Sequence, residues 1–378
     1  MMTSRATALA RAQPQRRVAA LATAALAAAV LAAAGGACNK KSEREEAEAA
    51  IAAVEGMNAV PASADVVLGA EIGPLSRSSL AERAVGRMLA SDPGLQGELD
   101  KLFNGCGFDP VRDVSTVLLA MDSPAQGGGA DRVLLVATGH LSEGKLASCV
   151  GQHMSKMGGS LVEKSVNGRV HYMADAPPGR LDVWFAFGSP ETLVVSSSPE
   201  FLAEALAGGP RLASDGEMAE LVRRARVVGA GLWAAGRVSP EVGKGLAAAT
   251  GGKVGPPRAI FGHLAAETGL SAELGVELAS PDETNAALSL AKNQLRLLAQ
   301  VAQKWKLGRA VAKVTTEAAG SVLYLRVTLT DDELGQVLAP IDTDAGPEQN
   351  PAPPEGAEGA QPHGQGDASP GGQAPLRK

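Results

Sequence analysis

Hydrophobic positions with a period of two residues mark several strands in the middle of the chain. β-Branched or alternating runs predict strands at 66–72, 132–138, 170–173, 181–187, 192–196, 227–233, 272–278 and 322–329. In the seventh run, Leu274, Val276 and Leu278 alternate with polar residues or glycine, which is typical of a half-buried strand. The spacing of these runs leaves room for helices between them.

Serine and threonine residues mark where those helices begin. Helices are predicted from Ser142, Ser198 and Ser280, and a further helix near residues 218–224. Ser280 is followed by Pro281 and Glu283, the order of an N-cap, a first-turn proline and a capping-box acid. The helix from Ser280 carries an apolar stripe that includes Leu288, Leu295 and Leu298, and we expect it to pack on its own sheet.

One short pattern occurs twice and indicates an internal duplication. Pro110, Arg112, Val114, Leu118 and Ala120 recur at the same spacing as Pro256, Arg258, Ile260, Leu264 and Ala266. Each copy lies in the same order of predicted elements, β-α-β-β-α-β, which is the order of ferredoxin-like units. The sequence therefore predicts an α+β fold of two tandem ferredoxin-like units with antiparallel sheets, at 59–212 and 213–341.

The first 37 residues have the composition of a secretory signal peptide. Positive charge lies in residues 1–17, an almost unbroken apolar run follows from Val18 to Ala34, and small residues then lead to Cys38. The apolar run has 17 residues, at the short edge of what spans a bilayer. Secretion without a lipid and a retained membrane anchor are the alternatives.

The cysteine at this boundary resembles the lipobox of bacterial lipoproteins, although Gly35 stands where that pattern usually has an aliphatic residue. The resemblance implies that Cys38 is diacylated and becomes the new N-terminus. Asn39, rather than aspartate, follows Cys38, which in that family implies the outer membrane, with the protein facing the periplasm. Residues 38–58 are rich in charge and alanine and predict a tether helix.

The body is similar in layout to bacterial envelope lipoproteins of unknown function that have a duplicated α+β domain. The resemblance begins at the stretch Val60-Pro61-Ala62-Ser63-Ala64-Asp65 and implies no catalytic residues. Beyond the body, residues 342–378 are predicted to form a disordered tail, because 14 of the 33 residues from Gly346 are proline or glycine.

The net negative charge of the chain makes nucleic acid an unexpected partner. Four of the 35 Lys and Arg residues lie in the signal segment, so 31 basic and 41 acidic residues remain in the mature chain, a net charge of −10. An acidic chain without a basic stripe lacks what a phosphate backbone requires.

The remaining cysteines, Cys106 and Cys149, are expected to form a disulfide in an oxidising compartment, although two separately buried thiols would fit the sequence as well.

Two weaker candidates share this region. Cys149 and His153, with His140 upstream, have spacing suited to Zn²⁺, and Ser142 and Lys145 match the S-x-x-K of penicillin-binding enzymes. The fourth zinc ligand and the partner motifs of those enzymes are missing, so we predict no catalytic residue, no metal and no cofactor.

Common motifs of zinc proteases, serine hydrolases, nucleotide enzymes and thiol oxidoreductases are absent from the sequence. We therefore expect a non-enzymatic, lipid-anchored envelope protein that acts as a binding or scaffold module, whose partners are the membrane and another envelope protein. A periplasm-facing carrier of an apolar ligand is the alternative.

Overall fold

A computed structural model describes residues 52–343, with gaps at 93, 95, 98–105, 123–131, 176–182, 208–209, 215 and 304–306. The strands are β1 (Val66–Glu71), β2 (Val114–Asp122), β3 (Arg132–Gly139), β4 (Ser160–Val166), β5 (Arg169–Asp175), β6 (Val183–Ser189), β7 (Thr192–Ser196), β8 (Leu232–Arg237), β9 (Ala259–Ala265), β10 (Leu270–Glu277), β11 (Thr315–Ala319) and β12 (Val322–Leu329). The helices are α1 (Ile72–Ser76), α2 (Ser79–Ser91), α3 (Pro110–Asp113), α4 (Glu143–Lys156), α5 (Pro199–Leu206), α6 (Glu217–Ala225), α7 (Pro240–Ala249), α8 (Pro281–Gln303), α9 (Gly308–Ala312) and α10 (Asp331–Thr343).

All twelve strands belong to one sheet in the order β11-β12-β10-β9-β8-β1-β2-β3-β7-β6-β5-β4. Every neighbouring pair is antiparallel. The first strands of the two predicted units, β1 and β8, pair with each other, with Val66 opposite Gly236. From this central pair, each half of the chain continues outward through its own second and third strands.

The α+β class with an antiparallel sheet is confirmed, but the prediction of separate ferredoxin-like sheets is wrong. A ferredoxin-like unit places its first and third strands side by side in parallel across a helical crossover. Here β1 has both edges taken by antiparallel neighbours, β2 and β8. Antiparallel neighbouring strands need no helical crossover between them. The two halves therefore share one continuous sheet.

One face of the sheet, called face 1, is buried under α5, α6 and the segment from Val54 to Ala64. Its core consists of alternate strand residues such as Val67, Leu118, Leu134 and Phe261, packed against apolar residues of those two helices. Ser198 begins α5 by accepting a hydrogen bond from the N–H of Phe201 at 3.2 Å, as its position before Pro199 predicts.

The opposite face, called face 2, has two separate cores. At one end α4 and the segment around Phe108 cover residues such as Leu135, Phe185 and Leu193. At the other end α8 covers Leu278 and Leu323. The capping residues of α8 act as predicted, because the N–H of Glu283 donates to Ser280 Oγ at 3.2 Å.

Some predicted boundaries differ from the structure, and two strands were missed. Residues 227–231 form a turn and β8 starts only at Leu232, since the N–H of Ala230 bonds to the carbonyl of Val227 at 3.0 Å. Strands β4 and β11 were not predicted. Helix α10 runs to Thr343, so it passes the expected start of the tail by two residues.

The described end of the predicted tether, residues 52–58, is not an α-helix. The backbone N–H of Val54 donates to the carbonyl of Gly188 in β6 at 2.9 Å, and a 3₁₀ turn follows at Gly56–Ala59. Pairing with the sheet competes successfully with helix propensity here. Residues 1–51, which include the predicted signal peptide, Cys38 and the rest of the predicted tether, lie outside the described residues.

Among the helices that the structure describes, none has both the length and the apolar character needed to cross a membrane.

Candidate functional site

The middle of face 2 exposes apolar side chains between the two cores. Leu68 of β1, Leu232 of β8 and Leu274 of β10 are 38%, 41% and 43% exposed. Leu264 and Ile260 of β9 lie half-buried on the same face. We call these five residues the central strip.

The strand register explains the shape of the central strip. Leu274, Gly262, Ala234 and Leu68 are successive register partners across four strands. At the usual strand spacing, the two leucines lie about 14 Å apart with only small residues between them. The strip is therefore a shallow apolar depression bordered by leucines.

Strand β10 of the strip, together with its neighbours β12 and β11, carries charge on face 1, so the apolar strip belongs to one face only. Arg326 of β12 donates hydrogen bonds to Glu273 of β10 and Glu317 of β11, and these two carboxylates raise the pKa of its guanidinium. Arg224 of α6 donates to Glu277 at 3.0 Å. Ion pairs cover face 1 at this end of the sheet. The described residues there present no apolar surface comparable to the central strip.

Helix α8 adds exposed apolar side chains beyond the strip. Its first turns pack on the sheet through Ala287, Leu288 and Ala291. Leu298, which the sequence places in the packed stripe, is instead 52% exposed. Leu297 and Val301 are each 55% exposed. Leu295 and Ala302, which belong to the same predicted stripe, are half-buried and buried, so Leu298 departs from the stripe while these two neighbours stay covered.

Cys106 and Cys149 are joined in a disulfide, with their Cα atoms 5.8 Å apart. The bridge connects the segment before Phe108 to the middle of α4, and both cysteines are buried in the larger core of face 2. The alternative of two separate thiols is not what the structure has.

The zinc candidate does not assemble, because the sulfur of Cys149 is occupied by the disulfide. His140 is exposed at the end of β3, where its N–H bonds to the carbonyl of Asp113 at 2.7 Å. Within the described ranges no group of three His, Cys, Asp or Glu side chains is arranged to hold a metal ion.

Ser142 and Lys145 line one hollow of about 190 Å³ together with His140 and Asp113. Ser142 occupies the N-cap position of α4 but its side chain accepts no capping hydrogen bond. Both side chains are exposed, and no hydrogen bond joins them within the described part of the chain. A lysine that activates a serine must reach its hydroxyl, so this arrangement supports no acyl-transfer site.

Sequence reasoning missed a second feature, a cavity of about 550 Å³ on face 1 that Arg169, His171 and Arg211 line. The Asn167-Gly168 pair was the available signal for the turn that precedes Arg169. Both residues have positive φ, 51° and 82°, which is the geometry of a two-residue hairpin turn, and Arg169 begins β5 directly after it.

Comparison with known proteins gives little. No family model matches the chain, and no curated protein matches it. A solved structure, crystal form I of TP0453, is similar with a TM-score of 0.43 and 13% identity, covering 77% of this chain and 99% of that one.

Proposed function

We propose that this protein is a non-enzymatic binding or scaffold module of the bacterial cell envelope, anchored by acylated Cys38. The single observation that carries the binding role is the central strip. A large apolar area left open on a folded protein favours a protein interaction site. We propose another envelope protein as the partner, with apolar side chains that fill the depression between Leu68 and Leu274.

The anchoring and location rest on the signal-like N-terminus and on the residues around Cys38. Asn39 supports the outer membrane, with the body facing the periplasm. A disulfide in the body fits an oxidising compartment such as the periplasm.

The alternative function, a carrier of an apolar ligand, requires an enclosed apolar cavity. The 550 Å³ cavity has two arginines and a histidine in its wall, and the central strip is open rather than enclosed. We therefore favour the binding module.

We also propose that the two halves arose by duplication. Arg112 lies in α3 directly before β2, and Arg258 directly precedes β9. β2 and β9 occupy matching places, each one strand outward from the central β1–β8 pair. An experimental structure should superpose the halves with Arg112 within three residues of Arg258, and any other match contradicts the duplication.

Site-specific photo-crosslinking in cells tests the binding role. A photoreactive residue at Leu274 should crosslink one defined envelope protein, whereas the same residue at Ser271 should not. Ser271 is an exposed residue of the same strand whose side chain lies on face 1, so it is a matched control. Leu68→Lys, at the other border of the strip, should abolish the Leu274 crosslink while the protein stays folded.

Equal crosslinking from both positions would contradict the proposal. A crosslink only to a second copy of this chain would also contradict it, because the strip would then be a self-association surface.

A further inference from the structure

The cavity on face 1 brings together three segments that are distant in sequence. Its wall consists of the N-terminal segment 52–58, the β4–β5 turn with the start of β5, and the end of α5 with the residues after it. Its volume of about 550 Å³ lies in the range of small-molecule sites. We call it the arginine cleft.

Arg169 is held at the cleft by backbone carbonyls. Its Nη1 donates to the carbonyls of Phe187 at 3.1 Å and Gly188 at 2.8 Å, and its Nη2 donates to the carbonyl of Ala52. A guanidinium has five N–H donors, so Nε and one hydrogen on Nη2 remain available.

Arg211 is held in a similar way at the end of α5. Its Nη1 donates to the carbonyls of Glu204 at 3.0 Å and Ala205 at 2.8 Å, which are among the last carbonyls of the helix. Its Nε and Nη2 make no hydrogen bond within the described residues. This side chain therefore also has donors to spare.

Neither guanidinium forms a salt bridge with a carboxylate among the described residues. Glu204 acts on Arg211 through its charge, and its carboxylate accepts from Ser63 Oγ at 2.8 Å and from Arg132 at 3.4 Å. The wall of the cleft itself contains no Asp or Glu. Burial lowers the pKa of both guanidinium groups, since removal from water disfavours a cation, and for Arg211 the charge of Glu204 offsets only part of this effect.

His171 supplies a third polar group. It follows Arg169 by two residues on β5, so both side chains lie on face 1, and it is only 3% exposed. Within the described residues its ring makes no hydrogen bond, although a buried polar group normally has a partner. Burial, and then the charge of Arg169, lower the pKa of His171, which favours the neutral ring, and a neutral imidazole has one N–H to donate.

Apart from Asn58 and Asn167, the rest of the wall is apolar. Val54, Val166, Ala203, Leu206 and Ala207 line the cleft beside the arginines. Gly188 keeps the N-terminal segment close, because a Cβ there would collide with the carbonyl oxygen of Val54. The cleft thus combines spare cationic donors with an apolar wall.

We propose that the arginine cleft binds a small organic anion, with a carboxylate or phosphate group between Arg169 and Arg211 and an apolar part against Leu206 and Ala207. Charge-assisted hydrogen bonds from two guanidinium groups would hold the head group, and the N–H of His171 would add a further donor. This site is separate from the central strip, which lies on the other face of the sheet.

Calorimetry on the mature chain carrying Cys38→Ser, without detergent, tests the proposal. Hexanoate and hexyl phosphate should bind, and whichever binds more tightly identifies the head group. Hexylammonium and hexanol, which have the same chain without the negative charge, should bind at least about tenfold more weakly. Inorganic phosphate, without the apolar part, should also bind more weakly than hexyl phosphate.

Replacing either arginine removes a structural contact as well, so the decisive variant adds a charge instead. Ala207 is exposed and lines the cleft. Ala207→Glu would place a carboxylate beside the arginines and should bind the anion at least about tenfold more weakly than Ala207→Gln, which adds the same bulk at that place without the charge. Unfolding midpoints of both variants show whether they remain folded.

Three results would overturn the proposal: no binding of either organic anion, equal binding of hexylammonium, or equal affinities of A207E and A207Q. Binding of inorganic phosphate as tight as that of hexyl phosphate would overturn the role of the apolar wall.

Discussion

The indole ring of Trp233 lies directly over Gly69 on the neighbouring strand, in the register pair at the centre of the sheet. A Cβ at Gly69 would overlap the ring, so glycine is required there by close approach. Phe261 lies over Gly275 in the same way between β9 and β10. With 3 Trp, 2 Tyr and 6 Phe in the whole chain, the sheet uses two of its few aromatic rings to cover glycines on face 1.

Gly69→Ala should destabilise the protein by about 1–3 kcal/mol, because the added methyl group forces Trp233 out of its position. Urea unfolding monitored by tryptophan fluorescence measures the change. Gly86→Ala is the control, since Gly86 lies in α2 with no atom within 4 Å of an added Cβ. That change should instead stabilise by about 0.5–1 kcal/mol. Equal effects of the two substitutions would contradict the role of Trp233.

The disulfide between Cys106 and Cys149 should contribute substantially to stability. It closes a loop with a sequence separation of 43 residues. On the chain-entropy model such a loop corresponds to about 4 kcal/mol of unfolding free energy. Cys149→Ser should lower the stability by about that amount, and a reductant should no longer affect the variant.

Cys38→Ser is the control for this experiment, because a reductant should still destabilise it. Two reactive thiols in the denatured, unreduced Cys38→Ser protein would show that the bridge is absent.

Much of the local structure could be predicted from the sequence because the signals are local. The capping residues of α8 act as their spacing predicts, with the N–H of Glu283 donating to Ser280 Oγ at 3.2 Å. The cysteines could be paired by elimination once Cys38 was assigned to the lipid. The order of strands in the sheet could not be predicted, because β-α-β-β-α-β describes the sequence of elements and not which strand edges meet.

The two candidate binding surfaces depend on long-range packing. The alternation in β10 places Leu274 on one face, but its 43% exposure among the described residues depends on where the helices of that face pack. Likewise, Arg169 and Arg211 share a cleft only because α5 packs on face 1 beside β5. No residue pattern along the chain indicates that Leu274 stays exposed or that Arg169 and Arg211 share a cleft.

The stability of the protein should fall as the pH drops below about 6.5, because His171 is buried. Its pKa in the folded protein is lowered from 6.5, chiefly by burial and then by the charge of Arg169. The unfolded chain therefore binds a proton that the folded chain does not, and the free energy of unfolding rises with pH up to about 6.5 and then levels off. Glu200 and Glu333, whose pKa values are lowered from 4.5, titrate below this window.

Urea unfolding between pH 5.5 and 7.5 measures this slope. His171→Gln should flatten it, and His140→Gln, at an exposed position, should leave it unchanged. A slope that persists in the His171 variant would assign the pH dependence to other groups.

Cys38 should carry the lipid, because the basic stretch, the apolar run and the small residues all end at it. We expect mass spectrometry of the membrane fraction to find a mature protein that begins at an acylated Cys38. Cys38→Ser should prevent this processing, so that the variant keeps its first 37 residues, whereas Cys106→Ser should be acylated and processed normally. A diacylated cysteine gives stable membrane attachment, since two chains are needed to hold a soluble body at a bilayer. A mature N-terminus at any other residue, or an unmodified Cys38 in the membrane fraction, would remove the anchor from the proposed function.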